Sequence, residues 1–296
     1  MSSERRQPLR SLLFVPGTRT DWLAKAEAAG ADAAILDLED AVPDGGKEEA
    51  RRLVAEAVAA FSGRMALFVR VNPLDGWAAA GELRAVTHER LAGVVLPKVA
   101  GPDDVRLADR LLGWCERERG LPYGHVALVP LLETASALRG AYEVAGAAGR
   151  VAYLGAVTAP GGDVARAVGY RWSLDSTLGL RSRVLLDARA AGTPNPVAGL
   201  WTGIGDLDGL RAFAEQNRAL GYEGMMAIHP SHVPVINEVF SPSPEELARY
   251  ARLVAAVEAA QAGGAGAVTF EGDMVDEAMA ATARAVLDRY APRGDS

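Results

Sequence analysis

The chain has 296 residues, of which 49% are hydrophobic and 23% charged, and its formal net charge is −7. This balance is typical of a globular domain, and without a dense run of Lys and Arg it argues against a nucleic-acid-binding groove. The single cysteine excludes an internal disulfide framework and a cysteine-based zinc site. The polar start of the chain, and apolar runs that stay below the roughly 18 residues of a membrane span, predict a soluble, cytoplasmic protein with no membrane contact.

Short apolar runs recur along the chain, and helix-like segments separate several of them. The predicted strands are residues 11–15, 33–38, 65–71, 93–96, 125–132, 151–157, 196–201 and 225–228. Most of these runs are continuously apolar rather than alternating, as expected for parallel strands that are buried on both faces. The pattern therefore predicts an α/β fold, a closed (β/α)₈ TIM barrel that occupies residues 1–262.

The C-terminal part of the chain extends beyond eight βα units. A helix is predicted to begin at Ser243, because Ser243 can cap it, Pro244 fits its first turn and Glu246 completes a capping box. The glycine-rich sequence that follows this helix predicts a hinge, and a short strand and a helix are expected after the hinge. We therefore expect residues 263–296 to form a C-terminal helical lid.

Several predicted strands end on, or are followed by, a side chain that can take part in chemistry. The carboxyl ends of the strands in a barrel meet at one mouth, where active sites are built. These side chains are therefore expected around one substrate. They are Asp37, Glu39, Asp40, Arg70, Lys98, Glu133, Asp163 and His229.

Glu133 and Asp163 follow neighbouring strands of the predicted barrel. Two carboxylates with little positive charge near them in sequence suit a hard cation such as Mg²⁺, which commonly takes one or two carboxylates and completes its shell with water and substrate. In the alternative interpretation, each carboxylate is solvated or caps the helix that follows it. The two residues alone leave both interpretations open.

Arg70 comes directly after the most hydrophobic part of its strand. A guanidinium in that position needs an anion or open water, and a substrate carboxylate or a developing enolate oxygen would serve. An ion pair with Glu39 or Asp40 is a compatible alternative. Asp37 is more simply explained as a helix cap or a backbone hydrogen-bond acceptor, and one of these acids could also anchor metal-bound water.

Lys98 and His229 have several possible roles. Lys98 could bind a phosphate or carboxylate, form the Schiff base of a class I aldolase, or make a salt bridge at the rim. His229 could be catalytic or a hydrogen-bonded histidine of the rim. The Gly203–Gly205 segment resembles the start of a dinucleotide-binding fingerprint, but its third glycine is misplaced and we reject that interpretation.

The order of these motifs resembles the citrate lyase β-subunit-like proteins, a family that includes malyl-CoA and citramalyl-CoA lyases, with hydroxy-oxo-acid aldolases as more distant relatives. The resemblance extends from Arg10 to about Asp276. The segments that carry it are residues 10–17, 37–42, 69–72, 96–98, 133–135 and 227–230.

This resemblance implies a TIM barrel that makes or breaks a carbon–carbon bond with Mg²⁺. It implies that Glu133 and Asp163 ligate the metal, which would hold a 2-oxo acid, and that Arg70 steadies the enolate oxygen of an acyl-CoA. Asp276 best matches an acid that relatives supply across a subunit boundary, in trimers or hexamers. Glu39 and Asp40 join the expected catalytic residues. The residues expected to contact substrate or CoA are Arg10, Phe14, Pro16, Arg19, Lys98 and His229.

Two features depart from the family pattern. The relatives usually carry Glu-Asp at the second metal ligand, whereas this chain has Gly162-Asp163 after a longer, glycine-rich loop, so the identity of the oxo acid does not carry over. The proline that often follows the C-terminal acid is also missing after Asp276.

The sequence thus predicts a Mg²⁺-dependent lyase that acts on a carboxylated 3-hydroxyacyl-CoA. The alternatives are a CoA-independent class II aldolase and a catalytically silent barrel that binds an acyl thioester or another protein. Basic groups beside the mouth, such as Arg10, Arg19 or Lys98, would favour use of CoA.

Overall fold

The computed structural model describes residues 8–156 and 158–290. Within these residues one sheet contains eight parallel strands: β1 (Ser11–Pro16), β2 (Ala33–Asp37), β3 (Ala66–Arg70), β4 (Leu91–Leu96), β5 (Ala127–Pro130), β6 (Tyr153–Ala156), β7 (Asn195–Ala198) and β8 (Gly224–Ala227). The neighbour order runs from β5 through β4, β3, β2, β1, β8 and β7 to β6. Isolated bridges join Leu128 to Val151 and Leu131 to Gly155 and close the ring. The predicted TIM barrel is confirmed.

Ten α-helices surround these strands in the described part of residues 8–240. They are α1 (Leu23–Ala28), α2 (Lys47–Ala60), α3 (Trp77–Val86), α4 (Pro102–Glu118), α5 (Ala135–Arg139), α6 (Ala141–Ala145), α7 (Asp163–Val168), α8 (Leu174–Ala190), α9 (Leu207–Leu220) and α10 (His232–Val239). No helix among the described residues is both long enough and apolar enough to cross a membrane.

The barrel interior is filled by alternate residues of the strands, because successive side chains of a strand point to opposite faces. Phe68 of β3 meets Tyr153 of β6 edge to face, with ring centroids 5.6 Å apart. Gly93 of β4 makes room for Phe68, since a Cβ atom at Gly93 would lie 2.6 Å from that ring. The residues on the other face of the strands pack against the helices in a second, larger core.

The register of the first three strands brings their carboxyl ends level. Pro16 pairs with Asp37, and Asp37 pairs with Arg70. Polar residues at or directly after these ends therefore share the mouth of the barrel, which is the arrangement that the strand-end pattern predicted.

The bounds of some strands differ from the prediction. The seventh strand was predicted to reach residue 201, but β7 ends at Ala198, because the chain then turns and Trp201 packs against Trp172 and Phe213 instead of pairing. Strands β5 and β6 are also shorter than predicted. Residue 157, the predicted end of the sixth strand, lies outside the described residues.

Residues Ser241–Ser296 form a second compact unit, described here to residue 290. It contains α11 (Pro244–Ala262), the antiparallel hairpin of β9 (Ala267–Phe270) and β10 (Asp273–Asp276), and α12 (Glu277–Tyr290). The predicted capping box at Ser243 and Glu246 is present, and one hairpin replaces the single predicted strand. The division into a barrel that ends at residue 262 and a lid that begins at 263 stays a prediction, and lid residues 291–296 lie outside the described residues.

Candidate active site

Arg70, the last residue of β3, is surrounded by acids at the mouth of the barrel. Its Nε and Nη2 atoms donate to the two carboxylate oxygens of Asp37, at 2.7 and 2.6 Å. Its Nη1 lies 3.0 Å from Glu39 Oε2 and 4.0 Å from Asp40 Oδ2. The predicted ion pair with Glu39 and Asp40 therefore exists, but Asp37 is the main partner.

Asp37 is held in place from several sides. Its carboxylate accepts the backbone N–H groups of Glu39 at 2.9 Å and Ala41 at 3.1 Å, as the sequence suggested for this residue. The Leu38 N–H also donates to the Arg70 carbonyl at 2.9 Å. The Arg70 guanidinium thus makes a bidentate ion pair with a carboxylate that the turn after β2 holds in a fixed orientation.

The Arg70 guanidinium is charged, and its neighbours accept only some of its N–H donors. Burial would lower its pKa, but Asp37 and Glu39 outweigh burial and raise the pKa above its ordinary value. The group lies 4.8 Å from the centre of the Phe14 ring. A guanidinium has five N–H donors. Because Asp37 takes two of them and Glu39 faces a third, Nη1 and Nη2 retain donors for an anion.

A cleft of about 330 Å³ opens beside Arg70. It is lined by Phe14, Pro16, Asp37, Asp40, Ala41, Arg70, Leu200 and Ile228. Apolar side chains and charged groups thus share its wall, and its volume is at the lower end of the range for small-molecule sites. The cleft is lined by five of the residues that the sequence singled out, which are Phe14, Pro16, Asp37, Asp40 and Arg70.

Glu133 lies three residues after the end of β5 and is 6% exposed. Its Oε2 atom accepts the backbone N–H of Lys98 at 2.8 Å. Burial raises the pKa of Glu133 to about 7, and the nearby negative charges of Glu39 and Asp163 add to that rise, although Lys98 and Arg70 oppose it. Thr134, not Glu133, caps the following helix. A cation bound nearby would favour the ionised form of this carboxyl.

Asp163 is the first residue of α7 and forms an ion pair with Arg166, whose side chain is 77% exposed. Its negative charge is one of the causes that raise the pKa of Glu133. Glu133 Oε1 and Asp163 Oδ2 make no hydrogen bond within residues 8–156 and 158–290, so both remain available as ligands. This oxygen donor set fits Mg²⁺, which needs only one or two carboxylates.

Across the described residues, no group of three or more His, Cys, Asp or Glu side chains forms a complete metal cage.

The environment of Lys98 disfavours the class I aldolase alternative. Its Nζ donates to Glu39 Oε1 at 2.5 Å and to Asp40 Oδ1 at 3.2 Å. Burial would lower its pKa, but Glu39 and Asp40 raise it above the ordinary value. A Schiff base requires a neutral amine, and the two ion pairs favour the charged ammonium and so disfavour that role for Lys98. The predicted rim salt bridge is the role that the structure supports.

The assignment of Arg10 to the CoA site is wrong. Arg10 precedes β1 and therefore lies at the amino end of the barrel, where its guanidinium pairs with Asp32 at 2.9 and 2.7 Å. Arg19 follows β1 on the mouth side; it is exposed, pairs with Asp21 and lies 4.3 Å from the centre of the Trp22 ring. Arg19 can therefore still meet a phosphate at the rim, whereas Arg10 cannot.

His229 follows β8 and is partly exposed. Its Nδ1 lies 2.7 Å from the Ser231 hydroxyl, and its ring faces His232 with centroids 6.1 Å apart. The predicted position at the barrel rim is correct, and the role of His229 in binding substrate stays a prediction.

Asp276 belongs to the second unit. Its Oδ1 accepts the N–H groups of Ala278 at 3.0 Å and Met279 at 3.2 Å, so it caps the start of α12. The catalytic role of Asp276 stays a prediction.

The sequence analysis missed a polar cluster beneath the mouth. Lys47 Nζ donates to the carbonyls of Leu38 and Glu39, at 2.9 and 2.6 Å, and to Asn72 Oδ1 at 2.9 Å. Asn72 donates in turn to the buried Glu82 carboxylate. These residues tie the turn after β2 to the turn after β3. The available signal was Glu82 itself, an acid on the buried stripe of α3 beside Ala79, Leu83 and Val86.

Residues 10–230 match the model of a family described as HpcH/HpaI aldolase/citrate lyase. A citrate lyase subunit beta-like protein from Deinococcus radiodurans is 38% identical, with 96% of this chain and 98% of that protein covered. A (3S)-malyl-CoA thioesterase from Cereibacter sphaeroides is 33% identical, with 96% and 95% covered. The crystal structure of CitE from Mycobacterium tuberculosis in complex with magnesium, acetoacetate and coenzyme A is 30% identical, with a TM-score of 0.74 and with 96% and 98% covered. The matched family region contains every mouth residue described above.

Proposed function

This chain belongs to the HpcH/HpaI aldolase/citrate lyase family, a family of carbon–carbon lyases, and we propose that it is a magnesium-dependent lyase of carboxylated 3-hydroxyacyl-CoA esters. Candidate substrates are of the malyl-CoA, citramalyl-CoA or citryl-CoA type. Cleavage would give an acyl-CoA and a 2-oxo acid, and the reverse reaction would join them.

The observation that carries this proposal is the Arg70 guanidinium, which is fixed by Asp37 and still has free donors beside a cleft. In the cleavage direction a base removes the proton of the 3-hydroxyl, and the bond between C2 and C3 breaks. The electron pair moves to the thioester carbonyl, which becomes an enolate oxygen, and C2 is then protonated. Arg70 meets the charge that develops on that oxygen, which is the usual means of lowering such a barrier.

Glu133 and Asp163 would hold Mg²⁺, which would polarise the oxygen atoms of the 2-oxo acid when bound. The protein contributes the orientation of this pair. Burial keeps bulk water away from Glu133, and the Lys98 N–H fixes one of its oxygens.

Two acids are available to move the proton. Asp40 lines the cleft and its side chain is 60% exposed, so it can exchange protons with solvent. Asp276 would reach the mouth of a neighbouring subunit in a homo-oligomer, as the family resemblance implies. Glu39 has a different role in this proposal, because it is bound between Arg70 and Lys98 and sets the position of both.

The acyl-CoA substrate is favoured over a free hydroxy acid by two features. The similar CitE structure holds coenzyme A together with magnesium and acetoacetate. In this chain Phe14 and Pro16 line the cleft, and Arg19 with Trp22 offers an exposed cation and a ring on the same side of the barrel. His229 completes the set of residues that we assign to substrate or CoA.

The test is to incubate the protein with malyl-CoA, citramalyl-CoA and the corresponding free hydroxy acids, with Mg²⁺ and with EDTA. Equimolar acyl-CoA and 2-oxo acid, formed only with Mg²⁺, would support the proposal. Release of free CoA with the intact hydroxy acid would identify a thioesterase, as in the Cereibacter relative, and cleavage of the free acid alone would identify a CoA-independent aldolase. No turnover of any of them would favour the catalytically silent barrel.

A further inference from the structure

Lys98 has an unusual backbone conformation. Among the residues that the structure describes, Lys98 and Glu271 are the non-glycine residues with positive φ, at 49° and 52°. This left-handed region is unfavourable for residues with a Cβ atom, and such residues persist where their surroundings hold them. At Lys98 the strained residue is also at the mouth of the barrel.

Three hydrogen bonds surround this strained residue. The Lys98 N–H donates to Glu133 Oε2 at 2.8 Å, and the Lys98 ammonium donates to Glu39 at 2.5 Å and to Asp40 at 3.2 Å. Lys98, which follows β4, thus connects Glu39 and Asp40 after β2 to Glu133 after β5. The Lys98 N–H gives Glu133 its only hydrogen bond from the described part of the chain.

We propose that Lys98 is a positioning residue for the divalent cation: its ammonium, anchored on Glu39 and Asp40, holds its own backbone left-handed, so that its N–H occupies one oxygen of Glu133 and leaves the other for the metal. This inference rests on the proposed function, because it takes Glu133 as a metal ligand. It gives Lys98 a role that is neither nucleophilic nor in CoA binding.

The side chain is needed because the backbone would not keep this conformation unaided. Without the ammonium, an L residue at this position lowers its conformational free energy by rotating to negative φ. The N–H would then leave Glu133, and the buried carboxylate would lose the bond that fixes its orientation. Outer partners of a metal ligand typically contribute about 10- to 100-fold to metal affinity.

Two variants separate the backbone from the charge. Lys98→Ala removes the ammonium and retains the strain, whereas Lys98→Gly removes the ammonium but tolerates positive φ. We expect Mg²⁺ and Mn²⁺ affinity, measured by calorimetry and by Mn²⁺ electron paramagnetic resonance on the metal-free protein, to fall about 10-fold or more in Lys98→Ala. We expect Lys98→Gly to lose much less. Lys98→Asn, which also tolerates positive φ, provides a second variant if the glycine form folds poorly.

The matched control is Glu271, whose partners Arg249 and Arg252 lie in the second unit. Glu271→Ala and Glu271→Gly remove the same ion pairs and differ in strain, and we expect equal metal affinity in both. The proposal is overturned if both Lys98 variants bind metal more tightly by the same factor, since the ammonium would then act only as a nearby positive charge. It is also overturned if both melt at lower temperature with unchanged affinity. If the unmodified protein binds neither metal, the assignment of Glu133 as a ligand fails first, and the role of Lys98 fails with it.

Discussion

Arg70 and Arg150 both form ion pairs with carboxylates, but they lie at opposite ends of the barrel. Arg150 precedes β6, and its guanidinium donates to Asp109 at 2.6 Å and to both oxygens of Glu116, at 2.6 and 3.0 Å. It also donates to the Val126 carbonyl at 3.1 Å, and the Tyr123 ring covers it at 4.6 Å. Arg70 has a similar bidentate carboxylate, but it lies at the carboxyl ends of the strands beside a cleft.

The two arginines differ in their exposure and in the hydrogen-bond donors that remain for a ligand. The Arg150 side chain is 1% exposed, and its partner Glu116 also accepts the N–H groups of Gly124 and Val126. Arg150, Asp109 and Glu116 thus form a closed cluster, which joins the amino ends of β5 and β6. Isolated bridges hold this pair of strands together. The Arg70 side chain is 12% exposed and retains donors. The same ion-pair chemistry therefore stabilises the ring at one end and leaves a cation beside the cleft at the other, the end where TIM-barrel active sites lie.

The largest effect should come from breaking the closed cluster. Arg150→Met leaves Glu116 buried and unpaired, and breaking a buried pair in this way typically costs about 3–5 kcal/mol. We expect the free energy of unfolding, measured by urea titration, to fall by that amount, with kcat per folded molecule unchanged. A loss of kcat as large as that of an Arg70 variant would contradict the division between the two ends.

At the other end the loss should appear in rate. Arg70→Lys keeps the charge but cannot reproduce the fork on Asp37. Removing a preorganised group of this kind typically costs about 10²–10³ in rate, or roughly 3–4 kcal/mol. We expect kcat to fall by this factor with KM little changed. An effect on KM alone would make Arg70 a ground-state clamp for a carboxylate.

The sequence predicted the barrel because apolar runs recur at the βα period, and it predicted the neighbourhood of Arg70, Glu39 and Glu133 because strand ends converge. It did not predict Asp37 as the main partner of Arg70, because that depends on the register between β2 and β3. It also misplaced Arg10, since one motif continues along the whole of β1 and its two ends lie at opposite ends of the barrel. Lys47 was missed because it acts through backbone carbonyls, which no sequence motif displays.

Ionisation of Glu133 should lower the stability of the metal-free protein. Its pKa rises from an ordinary 4.5 to about 7, so the folded apoprotein binds its proton more tightly than the unfolded chain does. Stability therefore falls as pH rises between these values, and above pH 7 the cost is fully present at about 3 kcal/mol. We expect metal-free Glu133→Gln to unfold at higher urea concentration than the parent at pH 8, and to show little difference at pH 4.

The role of Glu133 can also be tested by measuring how much Mg²⁺ stabilises the protein. Mg²⁺ should stabilise the parent at pH 8 but not Glu133→Gln, because a neutral amide is a much poorer ligand than a carboxylate. Glu143→Gln, an exposed change on α6, is the control and should respond to Mg²⁺ as the parent does. Equal Mg²⁺ binding by parent and Glu133→Gln would remove Glu133 from the metal site.

The smallest expected signal tests whether the mouth is completed by another subunit. If Asp276 serves a neighbour, Arg70→Ala and Asp276→Ala disable different contributors to one site. In randomly mixed oligomers, half of the sites would have an intact Arg70 and half of those would receive an intact Asp276, so about a quarter of the parent activity should return. If activity stays absent after mass spectrometry has verified subunit exchange, Asp276 acts within its own chain, and the mouth, like the closed cluster, is built from a single chain.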